Sequence, residues 1–509
     1  MFKNHPKGLI GAALSNMGER FGFYIMMAIL LLFLNNKFGF TGAEGSIIYS
    51  VFYALIYVLS LAGGLIADKT KKYKQTIMGG LVLMSLGYLL LSFPTKTPVE
   101  NMPLILFLTC FGLLAIAFGN GLFKGNLQAV VGQLYDNPQY ADKRETGFQI
   151  FYMFINIGAM FAPLMAVGLR NWWVQNNGYQ FNADLPSLCN QFISGNITAE
   201  ATERFSKLAA EVGNTSADLT VFANDYLNIF MEGYHYSFGI AIVAMLISLT
   251  IFMANKNTLP DPAAKVAQKG NANAPEAVKM DAAEVKQRLY ALFAVFAVVI
   301  FFWFSFHQNG QTLTLFADEY TKLLKFDLGF TTLEGAEVFQ TFNPFFVVFL
   351  TPIIIGLFGW FKAKGWEIST PKKIGIGMGI AATAFAIMAV GSVGLPDYSA
   401  RVAMGGLDDT MRVTPWLLIG TYLILTIAEL FISPLGIAFV SKVAPPHLQG
   451  LMQGGWLSAT ALGNQLLFIG VLFYKSIPIW ATWCIFVAAC VISMFMMLAM
   501  LKWLERVAK

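Results

Sequence analysis

The sequence predicts an all-α polytopic membrane protein with twelve transmembrane helices in two six-helix halves. Three observations carry that prediction. Of 509 residues, 56% are hydrophobic and only 12% charged, whereas a water-soluble protein carries about 25% charged residues. Apolar runs of the length a helix needs to cross a hydrocarbon core, about 20 residues, recur twelve times along the chain. Lys and Arg crowd the segments on one side of those runs and are sparse on the other. The mean hydropathy of +0.60 and the 46 Phe and 23 Met agree.

In order, the expected spans are 8–36, 44–67, 75–94, 103–131, 147–169, 235–254, 288–316, 337–361, 374–394, 414–441, 450–473 and 478–501. Such runs are far too long for barrel strands, so backbone polar groups in lipid must be satisfied within helices. Sixteen Lys and Arg lie in short segments on the side of the N-terminus, and six more lie between spans 6 and 7, counted through Arg288. The opposite side holds seven in short segments and three in residues 170–234. That asymmetry predicts cytoplasmic termini. Residues 255–287, rich in Ala, Pro, Asn and Lys, read as a cytoplasmic linker between an N-terminal half (1–254) and a C-terminal half (288–509). Residues 170–234 read as an insertion on the outer side, helical over 198–230, where Phe205, Leu208, Val212, Leu219, Phe222 and Tyr226 recur at helical spacing.

Composition and pattern exclude other classes. The net charge of +5 comes without a long basic run, which argues against nucleic acid. Cys110, Cys189, Cys484 and Cys490 show no metal-ligand or disulfide spacing. HExxH, GxSxG and nucleotide-loop motifs do not occur, and the segments outside the spans are too small for a catalytic domain, so an enzyme is not expected.

Away from the span ends, at membrane depth, stand Glu19, Arg20, Lys124, His307 and Glu429. Such a group at the bilayer centre costs roughly 2.5–3.5 kcal/mol on insertion scales, so it faces a polar interior and marks a pathway. Two cations and two anions in one bundle suit a cavity for a zwitterion. Polar and aromatic residues join them at helical spacing. Tyr24 follows Arg20 by one turn, Tyr53 and Tyr57 are one turn apart, and Phe148, Tyr152 and Asn156 form a stripe in span 5. Span 7 adds Gln308 and Gln311, span 8 Gln340 and Asn343 before a helix-loosening Pro344, span 10 Ser433 and span 11 Trp456.

After span 2, GLIADKTKKYKQ resembles the loop motif of the major facilitator superfamily, with Gly64 for close helix contact, Asp68 at a helix end and the basic Lys69. Four further motifs across residues 16–465 resemble the proton-coupled oligopeptide transporter family (POT/PTR2) of that superfamily. They are Glu19-Arg20-Phe21-Gly22-Phe23-Tyr24 in span 1, GNGLFKGN around Lys124, FQIFYMFINIGA in span 5 and AELFISPLGIAFV around Glu429. The resemblance implies a symporter that imports di- and tripeptides by alternating access, driven by the proton gradient without a cofactor, as a monomer in a bacterial inner membrane. It implies that Arg20 and Lys124 draw the peptide carboxylate and that Glu429 meets the amine. Tyr24, Tyr57, Tyr152, Asn156, Gln308, Asn343, Ser433 and Trp456 are expected to line the site. The resemblance points to Glu19 for proton coupling, and Lys124, His307 and Glu429 are the other groups expected to take or relay a proton. Another small solute (nitrate, a sugar derivative or a drug), or a peptide sensor that does not transport, is the alternative on the same architecture.

The chain departs from the pattern in several places, among them Gly125 where the family usually has Pro and the external insertion 170–234. Asn16 stands where the family's first glutamate does. Met27 replaces a basic residue, which leaves Asp318 without the partner of an expected gate. The linker has no room for the two extra helices that many bacterial members carry.

Overall fold

The computed structural model describes residues 5–508, apart from 71, 136, 138, 141–143, 261–280, 367 and 446–448. Among the described residues, twelve helices are long and apolar enough to cross a membrane. Spans 1–5 are α1 (Gly8–Phe38), α2 (Glu44–Thr70), α3 (Tyr73–Ser92), α4 (Met102–Leu134) and α5 (Arg144–Asn176). Two short helices, α6 (Leu185–Ile193) and α7 (Ala199–Glu211), precede span 6, which is α8 (Leu219–Asn255). Span 7 is broken into α9 (Ala282–Phe306), a 3-10 turn (His307–Gly310) and α10 (Thr312–Tyr320). A hairpin of β1 (Lys325–Asp327) and β2 (Thr332–Glu334) leads to span 8, α11 (Phe342–Ala363). Then follow α12 (Thr370–Gly391), the short α13 (Tyr398–Ala403) and α14 (Pro415–Val443). Span 11 divides into α15 (Gln449–Gln465) and α16 (Leu467–Ser476), and α17 (Ile479–Ala499) and α18 (Leu501–Val507) complete the chain.

Local chemistry starts these helices. The Asn101 side chain caps α4 through the Leu104 amide, Thr198 caps α7 through Ala201, and Asp218 caps α8 through Thr220 at 2.7 Å. Helix α1 packs between α5 and α8, and α2 between α4 and α15. The pairs α2–α15 and α5–α11 bring the first six spans against the last six, with the site between them. The bundle has two ends: a cap end, where α6 and α7 lie, and a terminal end, where both chain termini lie.

Several details correct the sequence reading. The helical stretch expected over 198–230 is two elements, because Gly213 has a φ of +102° and breaks the chain after α7. Span 6 then starts as far back as Leu219. Span 7 begins at Ala282, and most of the expected linker, 261–280, lies outside the described residues. The β-hairpin is an addition to the all-α expectation: Lys325 pairs with Glu334, and the Asp327 side chain caps the Gly329 amide at the turn. Pro344 does not loosen a helix interior. It falls in the first turn of α11, where a missing N–H costs no intrahelical bond.

The loop motif also reads differently. A Cβ at Gly64 would meet nothing within 4 Å, whereas one at Gly63 would stand 2.1 Å from the Gly121 carbonyl oxygen. The close crossing of α2 and α4 therefore belongs to Gly63 and Gly121. It matters for the site, because Lys124 follows Gly121 by one turn. Lys69 is exposed at the end of α2, and the Asp68 side chain lies outside the described residues.

Candidate functional site

A cavity of about 410 Å³ lies between the two sets of six spans. Arg20, Tyr24, Tyr57, Lys124, Tyr152, Asn156, His307, Asn343, Glu429, Ser433 and Trp456 all line it, as does Met27. Residues from α1, α2, α4 and α5 thus face residues from span 7, α11, α14 and α15 across one space.

The cations lie on the wall formed by the first six spans. Arg20 makes a bidentate pair with its neighbour Glu19, Nε to Oε2 at 2.6 Å and Nη2 to Oε1 at 2.7 Å. Asn120 of α4 donates to the same Oε1 at 2.8 Å. Glu19 is fully buried behind Arg20 and reaches the cavity only through it. The Lys124 ammonium stands 5.0 Å from the centre of the Tyr57 ring, in cation–π range. Among the described residues no carboxylate forms an ion pair with it.

The opposite wall carries the acid. Glu429 accepts a hydrogen bond from the Asn343 amide at 2.9 Å, and Asn343 also donates to Thr426 at 3.0 Å. A neutral amide thus holds the carboxylate, whose charge stays available to a cation. Tyr152 is 46% exposed, open to the cavity, and its carbonyl accepts from Asn156 at 3.1 Å.

His307 sits at the break in span 7, where it stacks on Trp303 with ring centres 4.9 Å apart. Tyr53 of α2 approaches it at 5.0 Å, and its Nδ1 shares a 2.5 Å hydrogen bond with Asn464 of α15. Gln308 is a correction. Its amide donates to the carbonyls of Phe304 and Leu467 and accepts from Thr312, so it braces the break against α16 and does not line the cavity. Gln311 likewise turns to α2, bonding Ser50 at 2.9 Å and Ser46. Asn16 is buried, with its amide nitrogen unpartnered among the described residues.

Sequence reasoning missed the polar groups that close the cap end. Arg170 of α5 forms a 2.5 Å pair with Glu337, both side chains 1% exposed. The Tyr234 hydroxyl accepts from Arg170 at 3.0 Å and donates to Glu337 at 2.8 Å. Asn171 adds bonds to the carbonyls of Thr332 and Glu334. Over this, Arg412 donates to Asp184 at 2.8 Å, and Arg204 donates to Asp184 and, at 2.6 Å, to Asp408. The Arg204 hydrogen bond and charge hold the Asp408 carboxyl below its ordinary range. Asp318 meets Arg412 through its backbone carbonyl, at 3.0 Å.

A twelve-span bundle around a charged central cavity, tied shut at one end by bonds between its two sets of spans, defines a solute transporter of the major facilitator fold. The model of the POT family matches residues 74–265 and 262–479, and the chain belongs to that family. It is 28% identical over 490 residues to the peptide transporter YePEPT of Yersinia enterocolitica, covering 91% of this chain and 87% of the relative. It is 27% identical over 476 residues to dipeptide and tripeptide permease B of Aliivibrio fischeri, with 90% and 84% covered. Among solved structures, a peptide transporter POT in complex with sulfate superposes with a TM-score of 0.70 at 22% identity, covering 100% of this chain and 96% of the other. A POT family transporter in complex with 5-aminolevulinic acid gives 0.71 at 20% identity, with 100% and 98% covered.

Proposed function

We propose that the protein is a proton-coupled symporter that imports di- and tripeptides by alternating access. The observation that carries this reading is the division of charge in one cavity: Arg20 and Lys124 on one wall, Glu429 on the other. A peptide with free termini presents a carboxylate and an ammonium at its two ends. Arg20 and Lys124 receive the first, Glu429 the second, and Tyr24, Tyr57, Tyr152, Asn156, Asn343, Ser433 and Trp456 surround the rest. The names of the relatives support the substrate class.

Coupling follows from the pairing of Arg20. Its guanidinium is already satisfied by Glu19, so a peptide carboxylate competes with Glu19 for it. A proton on Glu19 removes that competitor, and cargo and proton then favour the same arrangement of the two walls. Lys124, His307 and Glu429 are the other proton-carrying groups facing the cavity. Inward movement of the proton is favoured by about 2.3 kcal/mol per 100 mV.

The basic residues set the orientation: both termini and the linker 255–287 in the cytoplasm, the cap outside, with residues 1–254 and 288–509 rocking as two halves in a bacterial inner membrane. The unit is a monomer. Counterflow of labelled dipeptide in liposomes tests the reading. Exchange that requires both free termini and stops in Arg20→Ala and Lys124→Ala is the expected result. Exchange indifferent to blocking either terminus would send the search to another solute.

A further inference from the structure

Gly436 lies on α14 three residues after Ser433 and seven after Glu429, on the helix face that carries these two cavity-lining residues. A Cβ there would stand 2.0 Å from Cη2, 2.3 Å from Cζ2 and 2.7 Å from Cζ3 of Trp456. The benzenoid edge of the indole therefore rests on bare backbone. Phe296 of α9 meets the same indole edge-on, with ring centres 6.5 Å apart. Phe296 also rests on Gly455, the neighbour of Trp456 on α15, where a Cβ would come within 2.6 Å of its Cε2. Trp456 thus rests on Gly436, meets Phe296 and lines the cavity.

We infer that Gly436 sets how far Trp456 reaches into the cavity, and through it the longest peptide the site accepts. The inference rests on the peptide reading above and adds to it the residue that limits length. Moving the indole from 2.0 Å to the 3.4 Å at which contact becomes ordinary requires a retreat of about 1.4 Å. A tripeptide is longer than a dipeptide by one residue, about 3.3–3.6 Å when extended. A displacement of that size in a cavity of about 410 Å³ weighs on the third residue far more than on the first two. The backbone itself tolerates alanine, since a helix interior prefers it to glycine, so the effect of Gly436→Ala comes from the ring it displaces.

The test compares uptake of dialanine and trialanine, which differ in length alone, in proteoliposomes. Gly436→Ala is expected to lower the trialanine-to-dialanine ratio about tenfold, the discrimination a pocket makes for a group it no longer fits. Trp456→Phe, which withdraws the benzenoid edge, raises that ratio, and Gly436→Ala with Trp456→Phe returns it towards the wild type. An unchanged ratio in Gly436→Ala, or one that Trp456→Phe does not return, overturns the inference. Should Gly436→Ala fail to fold, Trp456→Phe alone decides: a raised ratio supports the inference and an unchanged one overturns it. A wild type that takes up neither peptide removes the peptide reading instead, and the length limit with it.

Discussion

The buried pair of Arg170 and Glu337 closes the cap end, and its removal has a distinctive energetic signature. Both side chains are 1% exposed, and the pair joins α5 to the turn that leads into α11, across the two sets of spans. Breaking a buried pair by removing one partner costs about 3–5 kcal/mol, because the other charge stays buried without compensation. In the closed arrangement that penalty is paid in full, whereas opening exposes the orphan to water. Arg170→Gln or Glu337→Gln should therefore shift the equilibrium towards the cap-open form by roughly 150- to 5,000-fold. Even a 99:1 preference for closure becomes an excess of open molecules at the lower figure. With both residues changed to Gln, no charge is stranded, and two amides can bond each other and Tyr234, so closure should largely return. The assay is labelling of Met27→Cys, a cavity-lining position near the cap end, by an impermeant maleimide in right-side-out vesicles, with the four native cysteines replaced. Single variants labelling faster than wild type and the double variant labelling slower than either is the expected pattern. Singles that label like the wild type, or a double as open as the singles, would refute the lock.

Other outcomes follow from the same geometry. Glu429→Gln should weaken uptake of peptides with a free amine more than of N-blocked ones, read as the ratio of their inhibition constants; equal loss removes Glu429 from the amine. Glu19→Gln should abolish accumulation against a gradient while leaving peptide exchange measurable, and Asn16→Glu should shift the pH profile of uptake without destroying it. Undiminished proton-driven accumulation by Glu19→Gln would move the coupling to Glu429 or His307. Asp408 has a depressed pKa, so its contribution is present above the ordinary carboxylate value of about 3.9 and lost only as pH falls through the lower folded value. Asp408→Asn should then loosen the cap, seen as faster hydrogen exchange over 404–412, without moving the pH profile of uptake between about pH 5.5 and 7.5.

The charges of the site were legible because they interrupt apolar runs: Lys124 and Glu429 stand alone in theirs, and Arg20 has only the adjacent Glu19. What eluded the sequence has a common physical cause, a change of phase or of run length. Periodicity cannot tell His307 from Gln308 once a 3-10 turn resets the helix, yet only His307 lines the cavity. Arg170 stands just past the end of the apolar run read for span 5, so it was counted with the insertion, although α5 continues to Asn176. Adjacent Gly63 and Gly64 are indistinguishable until the partner helix is in place. Asn120 precedes Lys124 by one turn, but its amide goes to Glu19, a contact that only the packing of α1 on α4 reveals.

That last bond bears on the loss of an acid at position 16. Glu19 Oε1 receives both Arg20 and Asn120, and Oε2 receives Arg20 again. Protonating it frees the guanidinium but leaves the carboxyl one amide donor, so the protonated group is not stranded in the bundle. Glu429 on the far wall has its own amide, Asn343. Glu19 can thus give up its charged partner, and Glu429 can take one on, while each keeps a neutral amide, which lowers the barrier to re-pairing. A second acid at position 16 would add a charge to this wall where Arg20 is already bidentate on Glu19, and would compete for Lys124, the cation proposed to meet the substrate.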